Sequence, residues 1–305
     1  MNSYESDHLK QMYAYLGECT VLLKKDGCFP LRKAGKIAAY GSGVRHTVKG
    51  GTGSGEVNSR YFITIEQGLK DAGFEVTSSA WLTAYDTIMA KAHEQFVKDI
   101  REKAKAQHTN AVLIGMGAVM LQPEYDLPLE AEGDSCIYVV SRVSGEGNDR
   151  VAEPGDFLLS NTEIRDILAL NDKFEKFMLV LNVGGPIDLT PVQNVKNILL
   201  LSQLGVETGR VLADILLGRV YPSGKLTSTW ARAEEYPDIG SFGEINDSLY
   251  KEGIYVGYRW FEAAGRKPLF PFGYGLGYTE FTIRDMSVSL SESIVKVTAV
   301  AENIG

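Results

Sequence analysis

The sequence predicts an α/β fold: a mostly parallel sheet sandwiched by helices, followed by the beginning of an antiparallel β domain. Three observations carry this. Apolar runs at residues 36–40, 136–140, 177–183 and 197–201 are continuous rather than alternating, which suits strands buried on both faces. Between them lie segments of helical period, and strands alternating with helices give a parallel sheet covered on both sides. Past residue 281 the period changes to two, with Met286, Val288 and Leu290 alternating and then Val295, Val297, Ala299 and Ala301. That is the pattern of half-buried antiparallel strands, with Ser291 to Ser293 as their turn. The expected domains are therefore 1–280 and 281–305, the second holding only its first strands.

Each element has a local reason. Leu9, Met12, Tyr13 and Leu16 share one face of a first amphipathic helix. Val21-Leu22-Leu23 is a strand that runs into the turn Lys24-Lys25-Asp26-Gly27, and residues 36–40 form the next strand, ending in glycines. A helix is expected from about 63 to 69, stopped by Gly73 as its C-cap, with a short strand at 74–76 after it. Residues 85–107 read as a long charged helix, and 115–133, with Pro123 and Pro128 and no period, as an excursion. The β-forming run 136–140 suits a central strand. Ser160 followed by Glu163 is a capping box that opens a helix. Residues 207–217 form the last helix of the unit, ended by Gly218.

Composition narrows the function classes. With 44% hydrophobic and 23% charged residues among 305, the chain has a globular protein's means of building a core. A net charge of -8 opposes nonspecific binding to a phosphate backbone, so nucleic acid is not expected as a partner. No apolar run is long enough to span a membrane, and the polar, acidic first twenty residues lack the pattern of a secretory signal. A cytoplasmic protein with no membrane partner is the expectation. Three cysteines without a CxxC pair and four histidines without HExxH give no metal signature.

Two glycine-rich loops follow predicted strands, where ligands bind in such sheets. The first holds Gly41-Ser42-Gly43 and then Gly50-Gly51-Thr52-Gly53-Ser54-Gly55. His46 stands where a dinucleotide fingerprint needs its third glycine, and Gly218 to Lys225 is one residue too long for a phosphate loop. An NAD- or ATP-dependent enzyme is thereby disfavoured. The second loop is Ser144-Gly145-Glu146-Gly147-Asn148-Asp149-Arg150. Its glycines leave the Glu146 carboxyl uncrowded, and Arg142, Asp149 and Arg150 can set its shape. The residues alone fit a general acid; they also fit a solvated surface loop with local ion pairs. His46 and His93 show no recognisable partners and read as surface histidines.

Taken in order, residues 21–27, 49–55, 141–150, 155–160, 214–218, 222–226, 253–259 and 270–278 resemble glycoside hydrolase family 3, the β-glucosidases and their relatives. The resemblance implies an α/β sandwich domain over 1–280 and the start of a fibronectin type III-like domain over 281–305. It implies that Glu146 is the general acid/base of a retaining β-glycosidase and that the loop of Ser54 lines the sugar site at subsite -1. It implies a β-glycoside or oligosaccharide substrate, no cofactor and no metal. The family's nucleophile is an aspartate on a separate (β/α)₈ barrel domain, and no aspartate of this chain takes that role. The expected partner is therefore a barrel in the same full-length protein, and the isolated chain should be nearly inactive. The alternative is a non-catalytic carbohydrate-binding or partner-docking module of the same fold. The Gly273-Tyr274-Gly275-Leu276-Gly277-Tyr278 run is expected to be structural, its tyrosines packing at the domain junction.

Overall fold

The structure, a computed structural model, describes residues 2–115, 118, 120–144, 150–237, 247 and 249–305, with the side chain of residue 54 outside that set. Its described elements, in chain order, are α1 (Ser3–Tyr15), β1 (Val21–Lys24), β2 (Lys36–Tyr40), α2 (Ile65–Asp71), β3 (Glu75–Val76), α3 (Ser79–Ala106) and α4 (Ala111–Gly115). Then come β4 (Ser135–Arg142), α5 (Asn161–Lys173), β5 (Phe177–Val183), β6 (Ile198–Leu200), α6 (Thr208–Leu216), α7 (Tyr258–Ala263), β7 (Phe281–Ser291) and β8 (Ile294–Asn303).

Six strands form one sheet in the order β1-β6-β5-β4-β2-β3, parallel throughout except β1, which runs antiparallel to β6. The α/β reading thus holds, and the continuous apolar runs are explained. Every residue of β4 and of β5 is buried. From β2 the chain crosses outward to β3, then returns past β2 and continues through β4, β5 and β6. With the right-handed crossovers that parallel strands adopt, connections running in opposite directions from β2 put α2 on one face and α3 and α5 on the other, the arrangement of a doubly wound sheet.

Packing agrees with that assignment. On one face α2 and α6 touch through paired glycines: a Cβ built on Gly209 would lie 1.9 Å from the Thr64 carbonyl oxygen, and one on Gly68 would lie 2.1 Å from that of Gly209. On the other face Trp81 and Tyr85 of α3 stack at 5.1 Å and both meet Tyr125 edge-on. The Tyr125 hydroxyl donates to the buried Asp166 carboxylate of α5 at 3.0 Å. Burial pushes the Asp166 carboxyl above its ordinary value, and its bonds from Arg165 and Tyr125 only partly offset this.

The capping box expected at Ser160 is present: Ser160 Oγ accepts from the Glu163 amide at 3.2 Å, and Glu163 Oε2 accepts from the Ser160 amide at 2.9 Å. Glu124, from the excursion, adds a second anion at this helix start by accepting from the Asn161 and Thr162 amides at 3.1 and 3.0 Å. Helix α3 begins at Ser79, six residues before the expected start. Trp81, Leu82 and Tyr85 are buried there, so packing overrides the modest helix propensity of the aromatic residues. The short α4, which the sequence reading did not anticipate, packs beside α3.

The front and the rear of this unit meet at one sheet edge. The Leu276 amide donates to the Leu22 carbonyl at 2.8 Å, and the Tyr274 hydroxyl to the Leu23 carbonyl at 3.2 Å. The Tyr278 hydroxyl donates to the Ile215 carbonyl at 2.7 Å, so these tyrosines pack on the sandwich, as structural residues.

Strands β7 and β8 form a separate antiparallel pair. The pairs Ile283 with Ala301, Val288 with Val297 and Leu290 with Val295 line one face. The turn is tighter than expected, confined to Glu292 and Ser293, with Glu292 at φ +52°. Among the described residues no helix is long and apolar enough to cross a membrane.

Candidate active site

The order of the sheet reverses at β2, with β3 on one side and β4 on the other, and ligands in such sheets bind at the carboxyl ends of the strands flanking that switch. The loops leaving β2 and β4 are the two glycine-rich loops. Glu146 itself, with Gly145, Gly147, Asn148 and Asp149, lies outside the described residues. What the structure describes is how both loops are rooted.

The loop after β2 presses onto β4. Gly41 has φ +93°, and a Cβ there would sit 2.4 Å from the Val139 carbonyl oxygen, so the position needs glycine on both counts. The Gly43 amide donates to that same carbonyl at 3.1 Å. Ser42 Oγ lies 3.0 Å from Ser141 Oγ and accepts from the Ser141 amide at 3.1 Å. Further along, Asn182 at the end of β5 grips residue 48 on both sides: its Oδ1 accepts from the Val48 amide at 2.6 Å and its Nδ2 donates to the Val48 carbonyl at 2.9 Å. Lys49 then closes the base of the glycine stretch, its Nζ donating to the Val57 carbonyl at 2.6 Å and to Ser59 Oγ at 2.9 Å. The backbone at Gly53–Gly55, which includes Ser54, forms a single 3-10 turn. Backbone spanning the sheet edge is thus held at β4 and β5 before it reaches Ser54.

The loop after β4 is rooted by charge. Arg142, the last residue of β4, makes a bidentate pair with Glu163, with Nη1 to Oε1 at 2.9 Å and Nη2 to Oε2 at 2.6 Å, both side chains under 5% exposed. Burial pulls the guanidinium's pKa down, and Glu163 more than reverses this, leaving Arg142 above its ordinary value and charged. Arg142 Nε also donates to the Asp156 carbonyl at 2.9 Å. At the far end Arg150 Nε pairs with the Asp156 carboxylate, which also accepts from the Val151 amide at 2.6 Å. Arg142 and Arg150 do set the loop's ends, as the sequence suggests. Their partners were missed: Glu163 is recognisable only as a capping residue, and Asp156 only as part of the segment Gly155-Asp156-Phe157-Leu158-Leu159-Ser160. The signal available was that a buried arginine at a strand end needs a carboxylate.

His46 has a partner after all, its Nε2 lying 2.8 Å from Asp86 Oδ1, and Arg45 Nη1 donates to the other oxygen of Asp86 at 2.8 Å. Arg45 also pairs with Glu66. This cluster braces the loop after β2 against α2 and α3. At the carboxyl ends of β5 and β6 a cavity of about 760 Å³ is lined by Lys49 of the loop after β2 and by Gly184, Gly185, Gln203, Leu226 and Trp230, among others.

The family model described as "Glycosyl hydrolase family 3 C-terminal domain" matches residues 20–278. The chain belongs to this family. Among curated relatives, beta-glucosidase A of Butyrivibrio fibrisolvens is 36% identical over 300 residues, covering 88% of this chain and 34% of that protein. Thermostable beta-glucosidase B of Acetivibrio thermocellus is 30% identical over 310 residues, covering 99% and 38%. Of solved structures, beta-glucosidase 3B from Thermotoga neapolitana in complex with glucose superimposes with a TM-score of 0.77 at 35% identity, over 98% of this chain and 42% of that one. A beta-glucosidase from Paenibacillus barengoltzii gives 0.76 at 28% identity, over 97% and 32%. The chain spans about a third of the length of the curated relatives it matches. As a family 3 C-terminal domain it carries a carboxyl edge at which two anchored loops converge.

Proposed function

We propose that this chain is the acid/base-bearing part of a retaining β-glycosidase that hydrolyses terminal β-linked sugars. Glu146 first protonates the leaving oxygen and then, as a carboxylate, takes a proton from the water that releases the sugar. The loop of Ser54 forms part of the sugar-binding wall. The nucleophile comes from a barrel domain, the partner this chain requires, and residues 281–305 begin a fibronectin type III-like domain after the sandwich of 1–280. The observation that supports this reading best is the rooting of both loops on adjacent strands at the switch of the sheet. A charged pair at each end of a short glycine-flanked loop suits a carboxyl that must meet a substrate oxygen within hydrogen-bond reach. Membership of the family and the names of the relatives agree with it.

The test is turnover of a panel of nitrophenyl β-glycosides. This chain alone should be nearly inactive. A chimera in which it replaces the matched third of the Butyrivibrio fibrisolvens enzyme should hydrolyse a β-glucoside, and Glu146→Gln should remove most of that activity, roughly 10²-fold or more. If Glu146→Gln leaves turnover intact, the chain is a binding or docking module instead.

A further inference from the structure

The first glycine-rich loop crosses the carboxyl edge of the sheet strand by strand. Residues 42 and 43 meet β4, residue 48 meets β5, and residue 49 reaches the loop after β6, where its carbonyl accepts from the Gly205 amide at 2.8 Å. The backbone from 49 to 63 then leaves the edge and returns beside its starting point. The Ile63 amide donates to the Val206 carbonyl at 2.9 Å, and the Tyr61 hydroxyl to Glu207 Oε1 at 2.5 Å. Both feet of this excursion therefore stand on residues 205–207, and the excursion goes where the loop after β6 goes.

Asn182 joins that loop to the sheet. It is 0% exposed and stands in a strand whose other residues, Phe177, Met178, Leu179, Val180, Leu181 and Val183, are all apolar. Burying a carboxamide is costly unless its acceptor and both its donors are used. Here they are: Oδ1 accepts from the Val48 amide at 2.6 Å, and Nδ2 donates to the Val48 carbonyl at 2.9 Å and to the Ser202 carbonyl at 2.6 Å. Pairing with the amide and the carbonyl of one residue is what a neighbouring strand does, so the side chain extends the ladder past the end of the sheet. Ser202, on the other side, holds a left-handed backbone at φ +62°, uncommon for a residue with a Cβ. Its amide bonds the Leu181 carbonyl at 3.2 Å. Packing alone gives no reason for an asparagine, since leucine is of similar size and suits a strand covered on both faces. What the carboxamide adds is a tie, at one point in the core, between a foot of the excursion and the loop after β6. Lys49, Ser202 and Gly205, from the segments so tied, line the cavity at this edge.

We propose that Asn182 is a positioning residue for sugar binding, its carboxamide locking the glycine-rich excursion and the loop after β6 into one wall. The proposal rests on the reading of that excursion as part of the sugar-binding wall. It assigns Asn182 no contact with substrate; it acts through Val48 and Ser202.

Two measurements separate the tie from the reading it rests on. In the 305-residue chain, Asn182→Leu should quicken hydrogen exchange of the Gly205 amide roughly tenfold or more, although that amide bonds Lys49 and not Asn182. The Leu179 amide of β5, bonded to the Asn197 carbonyl at 2.9 Å, should keep its protection. Asn182→Ala is the second variant should Asn182→Leu not fold. In the chimera, either variant should raise KM roughly tenfold with kcat within about threefold. The factor should be the same for cellobiose and 2,4-dinitrophenyl β-glucoside, because the wall holds the sugar common to both. A lower kcat at unchanged KM would mean only that less enzyme is folded. Unchanged KM therefore overturns the proposal, and if Gly205 exchange has quickened, the fault lies with the reading of the wall and not with the tie. Unchanged Gly205 exchange overturns it as well, and decides alone should the chimera be inactive. Glu146→Gln tests the acid separately: a silent result there, with KM raised by Asn182→Leu, would remove the acid/base reading and leave the positioning role standing.

Discussion

Strands β4 and β8 are both rich in β-formers, yet they live in opposite surroundings. All eight residues of β4 are buried, and all ten of β8 are exposed. The sequences differ in period: β4 is apolar at successive positions, as a strand covered on two faces must be, and β8 alternates, as a strand covered on one face does. Among the described residues nothing covers the apolar face of the hairpin, where Ile283, Val288, Leu290, Val295 and Val297 are 58 to 73% exposed. The pattern of a strand therefore states how many faces its fold will cover. It does not state whether the covering partner is at hand. A two-stranded hairpin without one is marginal in water.

The contrast predicts the sizes of mutational effects. Ile137→Ala in β4 should cost about 2–5 kcal/mol in a denaturant titration, because the cavity left inside a doubly covered sheet cannot collapse. Gly209→Ala should cost about 1–3 kcal/mol, since the added methyl meets the Thr64 carbonyl and forces α2 from α6. If Gly209→Ala proves neutral, the helix contact is looser than the fold requires. At the hairpin, Val297→Ala, or deletion of 281–305, should move the unfolding midpoint of the sandwich by less than about 0.5 kcal/mol. A larger drop would show that the two regions unfold together.

Within the sandwich, two carboxylates sharpen the comparison by carrying opposite pH dependences. Glu66 is raised by burial but lowered further by Arg45 and Lys70, ending below its ordinary 4.5. It therefore contributes stability above pH 4.5 that is lost as pH falls through its folded value. Asp166 ends above its ordinary 3.8, so it costs stability as pH rises from 3.8 through its folded value. Thermal unfolding across pH should show Glu66→Gln flattening the acid-side loss. Asp166→Asn should gain on the parent chain as pH rises, a result that reverses if the Arg165 bond dominates.

Much of the fold was legible because buried strands announce themselves. Residues 136–140, 177–183 and 197–201 could be read directly, and so could the cap at Ser160 and the stop at Gly73. The antiparallel setting of β1 could not, since nothing local in Val21-Leu22-Leu23 specifies which way it meets Leu199 and Leu200. The start of α3 was hidden because Trp81 and Tyr85 are helical by virtue of Tyr40 and Tyr125, residues about 40 positions away. At the candidate site the two glycine-rich loops were legible as the loops leaving β2 and β4; the roles given to Glu146 and Ser54 are proposals. The anchors were not: Glu163 lies 21 positions from Arg142, and Asn182 134 from Val48. A side chain's choice of partner at such separations is settled by the folded sheet, not by spacing.

The meeting of β1 with residues 274–278 makes the sandwich a closed ring in all but covalent linkage. Leu22 and Leu276 are paired neighbours, and Lys25 Nζ donates to the Gly277 carbonyl at 2.9 Å. Polypeptide joined ahead of β1 or beyond residue 278 would enter beside the same strand. Circular permutation, with new ends cut in the 115–133 excursion, would preserve every strand pairing of the sheet. A domain could accordingly change its place in the gene, from before this unit to after it, and still hang from the same edge.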